Sequence, residues 1–315
     1  MKIFKFITWI CSFILIGSYT SCSSGKQIEA ADAQELSQNK PLENALLWKV
    51  TGNGITKPSY VYGTIHIINK EDFFLPEGTL SAVESTDKMI FEINMNDMND
   101  MSKQMGMLKE VFMNDNTTLK DLLTEEEYGV VETHFKGMGL PMMMFERMKP
   151  MFLTVFAGDG MDIGGLQSGS MKSYEMEFFE MAQNTSTPVG GLETIEYQLS
   201  MFDSIPYKDQ AMMLVETIQT SDAGSDIFKE MIDMYKSQNI TSMVQMMDAE
   251  SMGGHEDLLI FQRNRNWIPI MEDLMKEGPV FFAVGAGHLA GTEGVLKLLM
   301  KQGYKVVPIS HEAKT

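Results

Sequence analysis

Two short stretches hold the residue types best suited to chemistry. Residues 59–70 read SYVYGTIHIINK and residues 279–288 read PVFFAVGAGH. Each is an apolar run ending in Gly-x-x-His, Gly63 to His66 in the first and Gly285 to His288 in the second. The chain has five histidines in 315 residues, so two in matched contexts form a pattern. Ligands of open α/β sheets collect at the carboxyl ends of strands. A glycine placed there lets the backbone turn sharply or approach a neighbour closely, and an imidazole three residues on can point into the crevice. Two neutral imidazoles delivered to one crevice are the usual start of a transition-metal site. Either histidine alone reads more simply as a satisfied core residue; the matched pair reads as functional. Glu92, the one acid in the apolar run KMIFEINM (88–95), is a third candidate.

Such groups need a sheet to hold them. ALLWKVTG (45–52) and SYVYGTIH (59–66) read as strands joined by the turn residues 52–58, which predicts a hairpin. A short helix over 78–85 then leads to the strand at 88–95. Helical text follows, broken at 137–141 and 158–165, before TPVGGLET (187–194) reads as a short strand and turn. Further helices run over 195–276, with Pro206 at a helix start. PVFFAVGAGH, a helix over 292–302 and YKVVPIS close the chain. Strand, Gly-x-x-His, helix, strand thus occurs twice, and in the last unit the order predicts parallel pairing. The expected fold is α+β: a mixed central sheet built from two similar strand–helix–strand halves, with helical insertions at about 96–186 and 195–277.

The first residues belong to a different layer of organisation. Lys2 and Lys5 precede an uncharged apolar stretch over 6–17, too short for the ~20 residues of a spanning helix, and 1–21 reads as a signal peptide. Cys22 in SYTSCSSG resembles a lipoprotein processing site, with Tyr19 where an aliphatic residue is usual. Residues 22–42 read as a polar tether and 43–315 as a single domain. The expected address is the bacterial cell envelope, with membrane contact only through a lipid on Cys22. Both cysteines, Cys11 and Cys22, lie in or at the leader, so the domain has no internal disulfide and no thiolate nucleophile.

The formal net charge is −18, and removing the two lysines of 1–21, its only charged residues, leaves −20. That excludes a nucleic-acid binder, which presents a basic face. Thirty methionines suit a flexible core or an adaptable groove for a peptide or other small apolar ligand. HEDLL at His255 lacks the second histidine of a His-Glu-x-x-His site and reads as a helix start. His134 and His311 read as surface residues, and GDGMDIGG (158–165) does not match a calcium loop. No nucleophile elbow or phosphate loop is present.

LLWKVTGNGITKPSYVYGTIHI, GLETIEYQLSMFDSIPYKDQ and RNRNWIPIMEDLMKEGPVFFAVGAGHLAGTEGVLKLLMKQGYKVVPI together resemble the TraB/GumN family, relatives of the Tiki metalloproteases, over roughly residues 45–310. The resemblance implies a fold akin to the erythromycin-esterase/ChaN-like superfamily and a peptidase that depends on a divalent cation (manganese, cobalt or zinc). It matches His66 and His288 to the family's Gly-x-x-His histidines and Glu92 to the acid on the following strand. Glu193, Glu196 and Gln198 match its Gly-Leu-Glu-x-x-x-x-Gln segment, and Arg263 with Asn264 its Arg-Asn pair. On that reading His66, Glu92 and His288 face the metal, and Glu193 is a further ligand or the base. Arg263 holds a carboxylate or an oxyanion through its permanent fork of donors. Surface charge and helix-start acids are the plain alternatives for Arg263, Glu193 and Glu196. The rival function is a non-catalytic lipoprotein that uses the same crevice for haem, iron or a signalling peptide.

Overall fold

The computed structural model describes residues 41–157, 168–246 and 254–309. The signal peptide, Cys22, most of the tether, the 158–165 loop and His311 lie outside the described residues. The described residues contain eight strands: β1 (Leu47–Gly52), β2 (Ser59–Thr64), β3 (Ile68–Asn69), β4 (Lys88–Ile93), β5 (Met171–Lys172), β6 (Val189–Glu193), β7 (Val280–Gly285) and β8 (Tyr304–Pro308). Six of them form one mixed sheet in the order β6-β4-β7-β2-β1-β8, and β3 pairs with β5. From β6 to β2 all neighbours are parallel; β1 runs antiparallel to both β2 and β8.

The hairpin between β1 and β2 forms as expected, and its turn uses Gly52, Asn53 and Gly54 at φ of 85°, 46° and 82°. That left-handed stretch is open to glycine and asparagine and strained for most other residues. The two strand–helix–strand units are present but interleaved. β7 lies between β2 and β4, and β8 does not pair with β7; it takes the edge beside β1. Burial explains this. Val280, Phe281, Phe282, Ala283 and Val284 are all buried, which requires cover on both faces and so a central place in the sheet. β8 alternates, with Lys305 exposed between buried Tyr304 and Val306, as suits an edge strand.

Among the described residues, helices make up most of the chain between β4 and β6 and between β6 and β7, with short β5, turns, 3-10 segments and one π turn between them. The sheet core is built on Trp48, Tyr62, Phe91, Phe281 and Phe282, onto which Tyr174, Phe178 and Tyr235 pack from the helical segments. A second apolar cluster, Leu119, Val131, Phe135, Leu153 and Leu214 among its members, lies within the insertions. Methionine serves both core and surface: Met89, Met142, Met271 and Met275 are buried, whereas Met101, Met143 and Met144 are exposed. His134 is half-buried, not at the surface, with its ring edge-on to Phe135. His255 precedes a π turn, Asp257–Phe261, that runs into the helix Gln262–Glu277. Among the described residues no helix is long and apolar enough to cross a membrane.

Candidate functional site

The parallel register of β2 and β7 sets Thr64 beside Gly285, so the two Gly-x-x-His turns leave the sheet side by side at its carboxyl edge. The glycines are there for contact. A Cβ on Gly63 would lie 2.6 Å from Leu289 Cδ1 and 3.2 Å from Ala286 Cα, so the bare backbone lets the second turn pack on the first. A Cβ on Gly285 would lie 3.2 Å from Glu92 Oε1; instead, the Gly285 N–H donates to that oxygen at 2.8 Å.

Glu92 at the end of β4 and Glu193 at the end of β6 meet Arg263, which projects from the helix Gln262–Glu277. Arg263 Nη2 donates to Glu92 Oε2 and, at 2.7 Å, to Glu193 Oε1; Nε donates to Glu193 Oε1 at 3.0 Å. Its Nη1 donates to the carbonyl of Leu259, inside the π turn, and to His288 Nε2 at 3.1 Å. On the other side of that ring, His288 Nδ1 donates to Asn264 Oδ1 at 2.6 Å, while Asn264 Nδ2 is committed to the carbonyls of Glu293 and His288. His288 is therefore neutral with its proton on Nδ1, the tautomer set by the bond the other nitrogen makes. Trp267 donates to Glu193 Oε2 at 2.9 Å, lies 4.5 Å from the His288 ring and carries the guanidinium of Arg263 on its face at 4.9 Å. The inner cluster is closed: every polar group in it has a partner, as buried charge requires.

His66 stands apart from that cluster, on the wall of an open crevice of about 370 Å³ that Glu92, Glu175, Ser173 and Gln198 also line. Three quarters of its side chain is open to solvent (75% exposed), and Nδ1 donates to Glu175 Oε1 at 3.0 Å. Glu175 also accepts from Thr64 Oγ1 at 2.7 Å and Ser173 Oγ at 3.0 Å. Gln198 Nε2 donates to Glu92 Oε2 at 3.3 Å. Below, the Tyr235 hydroxyl donates to the Gly63 carbonyl at 2.9 Å and so fixes the turn that carries His66.

The expected residues thus divide. His288, Glu92, Glu193, Arg263 and Asn264 are joined in one network, with His66 on the adjoining crevice and Glu92 common to both. Glu196 is not brought in: it is 41% exposed and faces Lys103 at 3.8 Å. Glu175 was missed. It lies in the first turn of the helix Tyr174–Thr185, where an acid is ordinary because it favours the helix dipole, and nothing nearby in the sequence points to His66.

Electrostatics separate the two histidines. Burial holds His288 down at about 3, so its ring is neutral. The carboxylate of Glu175 pushes His66 up to about 9, against some desolvation, and makes it an imidazolium at neutral pH. Burial alone would raise Glu92; the Arg263 guanidinium and the His66 imidazolium, with the Gly285 N–H, outweigh it and hold the carboxyl at about 2. Burial raises Glu193, with Arg263 and the Trp267 N–H working against it. Glu92, Glu175 and Glu193 face two cations, His66 and Arg263, which leaves the combined site with one negative charge in excess.

A sequence profile of the TraB/PrgY/gumN family matches residues 46–308. The chain belongs to that family. Among its relatives, Metalloprotease TIKI2 of Danio rerio is 21% identical, with 96% of this chain and 67% of that protein covered. Metalloprotease TIKI1 of Danio rerio is 21% identical, with 84% and 63% covered. Metalloprotease TIKI1 of Homo sapiens is 20% identical, with 86% and 63% covered. This chain therefore spans two thirds or less of those relatives' length. No solved structure matches it.

The names of these relatives raise the question of a metal. Imidazole and carboxylate donors are present, but as arranged they do not fit a cation. Among the described residues no group of three or more His, Cys, Asp or Glu side chains is disposed to hold one. Arg263 is the physical reason. Its guanidinium already takes Glu92, Glu193 and the His288 lone pair, the atoms that a cation at that spot would share.

Proposed function

We propose that the protein is a hydrolase of peptide bonds acting in the crevice between His66, Glu92 and Glu175. The observation that carries this reading is the delivery of His66 and Glu92, from β2 and β4 on either side of β7 in the parallel part of the sheet, into one open crevice, in a family whose curated relatives are named metalloproteases. In this reading His66, held by Glu175, donates a proton to the departing amine or stabilises the oxyanion, which general acids do at hydrogen-bond distance. Glu92 takes the proton of the attacking water on its ionised carboxylate and, where His66 holds the oxyanion, passes it to the departing amine; its orientation is fixed by Gly285, Gln198 and Arg263. Arg263 and Asn264 act one layer back, the first on both carboxylates and the second on His288. Glu193 closes the inner cluster, and Glu196 has no part in the reaction.

Dependence on a divalent cation is part of the proposal. It is supported by the relatives' names. The arrangement around Arg263 does not supply that support, and no step is assigned to a metal. Export to the cell envelope, with a lipid on Cys22, is proposed from the leader alone. The test is cleavage of a mixed peptide library followed by mass spectrometry, with and without chelator, together with elemental analysis of the purified domain. Cleavage that His66→Ala abolishes without loss of fold supports the reading. Absence of cleavage under every metal supplied, with tight uptake of a haem or peptide instead, replaces it with the binding-protein reading.

A further inference from the structure

The crevice has a second character that the hydrolytic groups do not use. Beside its five polar side chains it is walled by Ile67, Phe91, Ile93, Met95, Met98 and Met176, and most of its surface is apolar. Met98 is 44% and Met176 56% exposed, unusual for large apolar side chains at the mouth of a cavity. The polar groups are already engaged with one another, Glu175 with His66, Thr64 and Ser173, Glu92 with Arg263, Gly285 and Gln198. Arg263 is thereby closed off and His66 keeps only its Nε2–H for a ligand, while the excess charge is negative. An acidic side chain, a phosphate or a fatty-acid carboxylate is repelled, whereas an apolar side chain meets a matching wall.

Resting on the hydrolase reading, we propose that this wall is a specificity subsite for a long apolar side chain on the residue flanking the bond that is cut. Methionine suits such a wall, because three rotatable bonds and a polarisable sulfur let it close around side chains of different shape. Exposed apolar side chains also follow Met98 in the next helix. Met101, Met105 and Leu108, spaced four and three, are exposed on the helix Met101–Glu110, which begins three residues after Met98 and buries none of its own side chains. A peptide leaving the crevice in that direction passes a second apolar strip. An apolar peptide is thus the substrate class the site recognises.

The experiment reads binding separately from turnover. Capped pentapeptides, acetyl-Ala-Ala-X-Ala-Ala-amide with X as alanine, aminobutyrate, norvaline, norleucine or aspartate, compete with a fluorescent norleucine peptide for the full chain, and cleavage is followed in parallel. Burying each methylene strengthens binding about fourfold, so norleucine binds roughly sixtyfold more tightly than alanine, and aspartate binds more weakly than alanine. Met98→Asp and Met176→Asp each flatten the series. A flat series on the wild-type chain overturns the proposal, as does a slope unchanged in both variants. Tighter binding of a fatty acid of equal chain length than of the norleucine peptide also overturns it, in favour of an acyl-chain site. A sloped series without cleavage of any peptide keeps the subsite and removes the hydrolase reading; cleavage with a flat series does the reverse.

Discussion

Replacing Arg263 by methionine is the perturbation whose effect follows most closely from the geometry. The side chains of Arg263, Glu92 and Glu193 are 8%, 12% and 4% exposed, so the guanidinium neutralises two carboxylates that water barely reaches. Methionine has similar bulk and keeps contact with Trp267, which limits the packing loss. It leaves two like charges buried without a counter-ion, held only by neutral donors. Breaking a buried pair in this way costs about 3–5 kcal/mol, the upper part of the range being expected because two acids lose one cation. With a urea m-value of about 3 kcal/mol/M, a loss of ~4 kcal/mol lowers the unfolding midpoint by roughly 1.3 M. The sign with pH is fixed as well. Without Arg263 both carboxyls move up, so the variant regains stability relative to wild type as pH falls towards 4 and they take up protons. Adding Glu193→Gln to Arg263→Met removes one orphan charge and recovers part of the loss, whereas Glu193→Gln alone destabilises. A double-mutant cycle by urea unfolding at pH 7 measures this coupling. A loss below about 1 kcal/mol, or additive effects of the two changes, would falsify the claim that Arg263 is the resident cation of the inner cluster.

Other consequences can be measured in the same preparations. Gly63→Ala forces a methyl into Leu289 and the Ala286 backbone and costs about 1–3 kcal/mol of overpacking; unchanged thermal stability would contradict the packed arrangement of the two turns. Tyr235→Phe strips the buried Gly63 carbonyl of its donor, at about 1–3 kcal/mol, and lowers kcat more than it alters KM because it loosens the turn that bears His66. Nitrogen NMR should find the His288 proton on Nδ1 throughout pH 5–8, and Asn264→Leu should leave it there, because Arg263 still donates to Nε2. Glu92 is held at about 2 in the fold, below its unfolded value of about 4.3, so its share of the stability is complete above that value and disappears as pH falls through 2. A flat acid limb in wild type would count against the pairing of Glu92 with Arg263.

Some of this site was readable from residue order, and the reasons are local. The Gly-x-x-His turns stood out because apolar runs mark strands and their ends mark ligand sites, and Glu92 because an acid is out of place in such a run. The unbroken apolar text of β7 suits the central place it takes, whereas the strand–helix–strand order suggested the wrong neighbour for β8. Glu175 was not readable, since an acid in a first helical turn has an ordinary explanation and its partner lies 109 residues away. Nor was the closure of Arg263 over Glu92, Glu193 and His288, because those four come from separate elements and meet only through the sheet. Methionine left the crevice wall ambiguous: the same residue that fills gaps in a core also lines an adaptable surface.

The measurement that bears most directly on the proposed chemistry is peptide cleavage by Glu175→Gln, compared with wild type at equal folded concentration. This change keeps the shape of the side chain and removes the charge that holds His66 protonated. The account predicts a fall in kcat of about a hundredfold or more, the usual worth of a positioned proton donor, with the unfolding midpoint little changed. Cleavage at the wild-type rate by a folded Glu175→Gln protein would show that the crevice between His66 and Glu175 is not where the bond is cut.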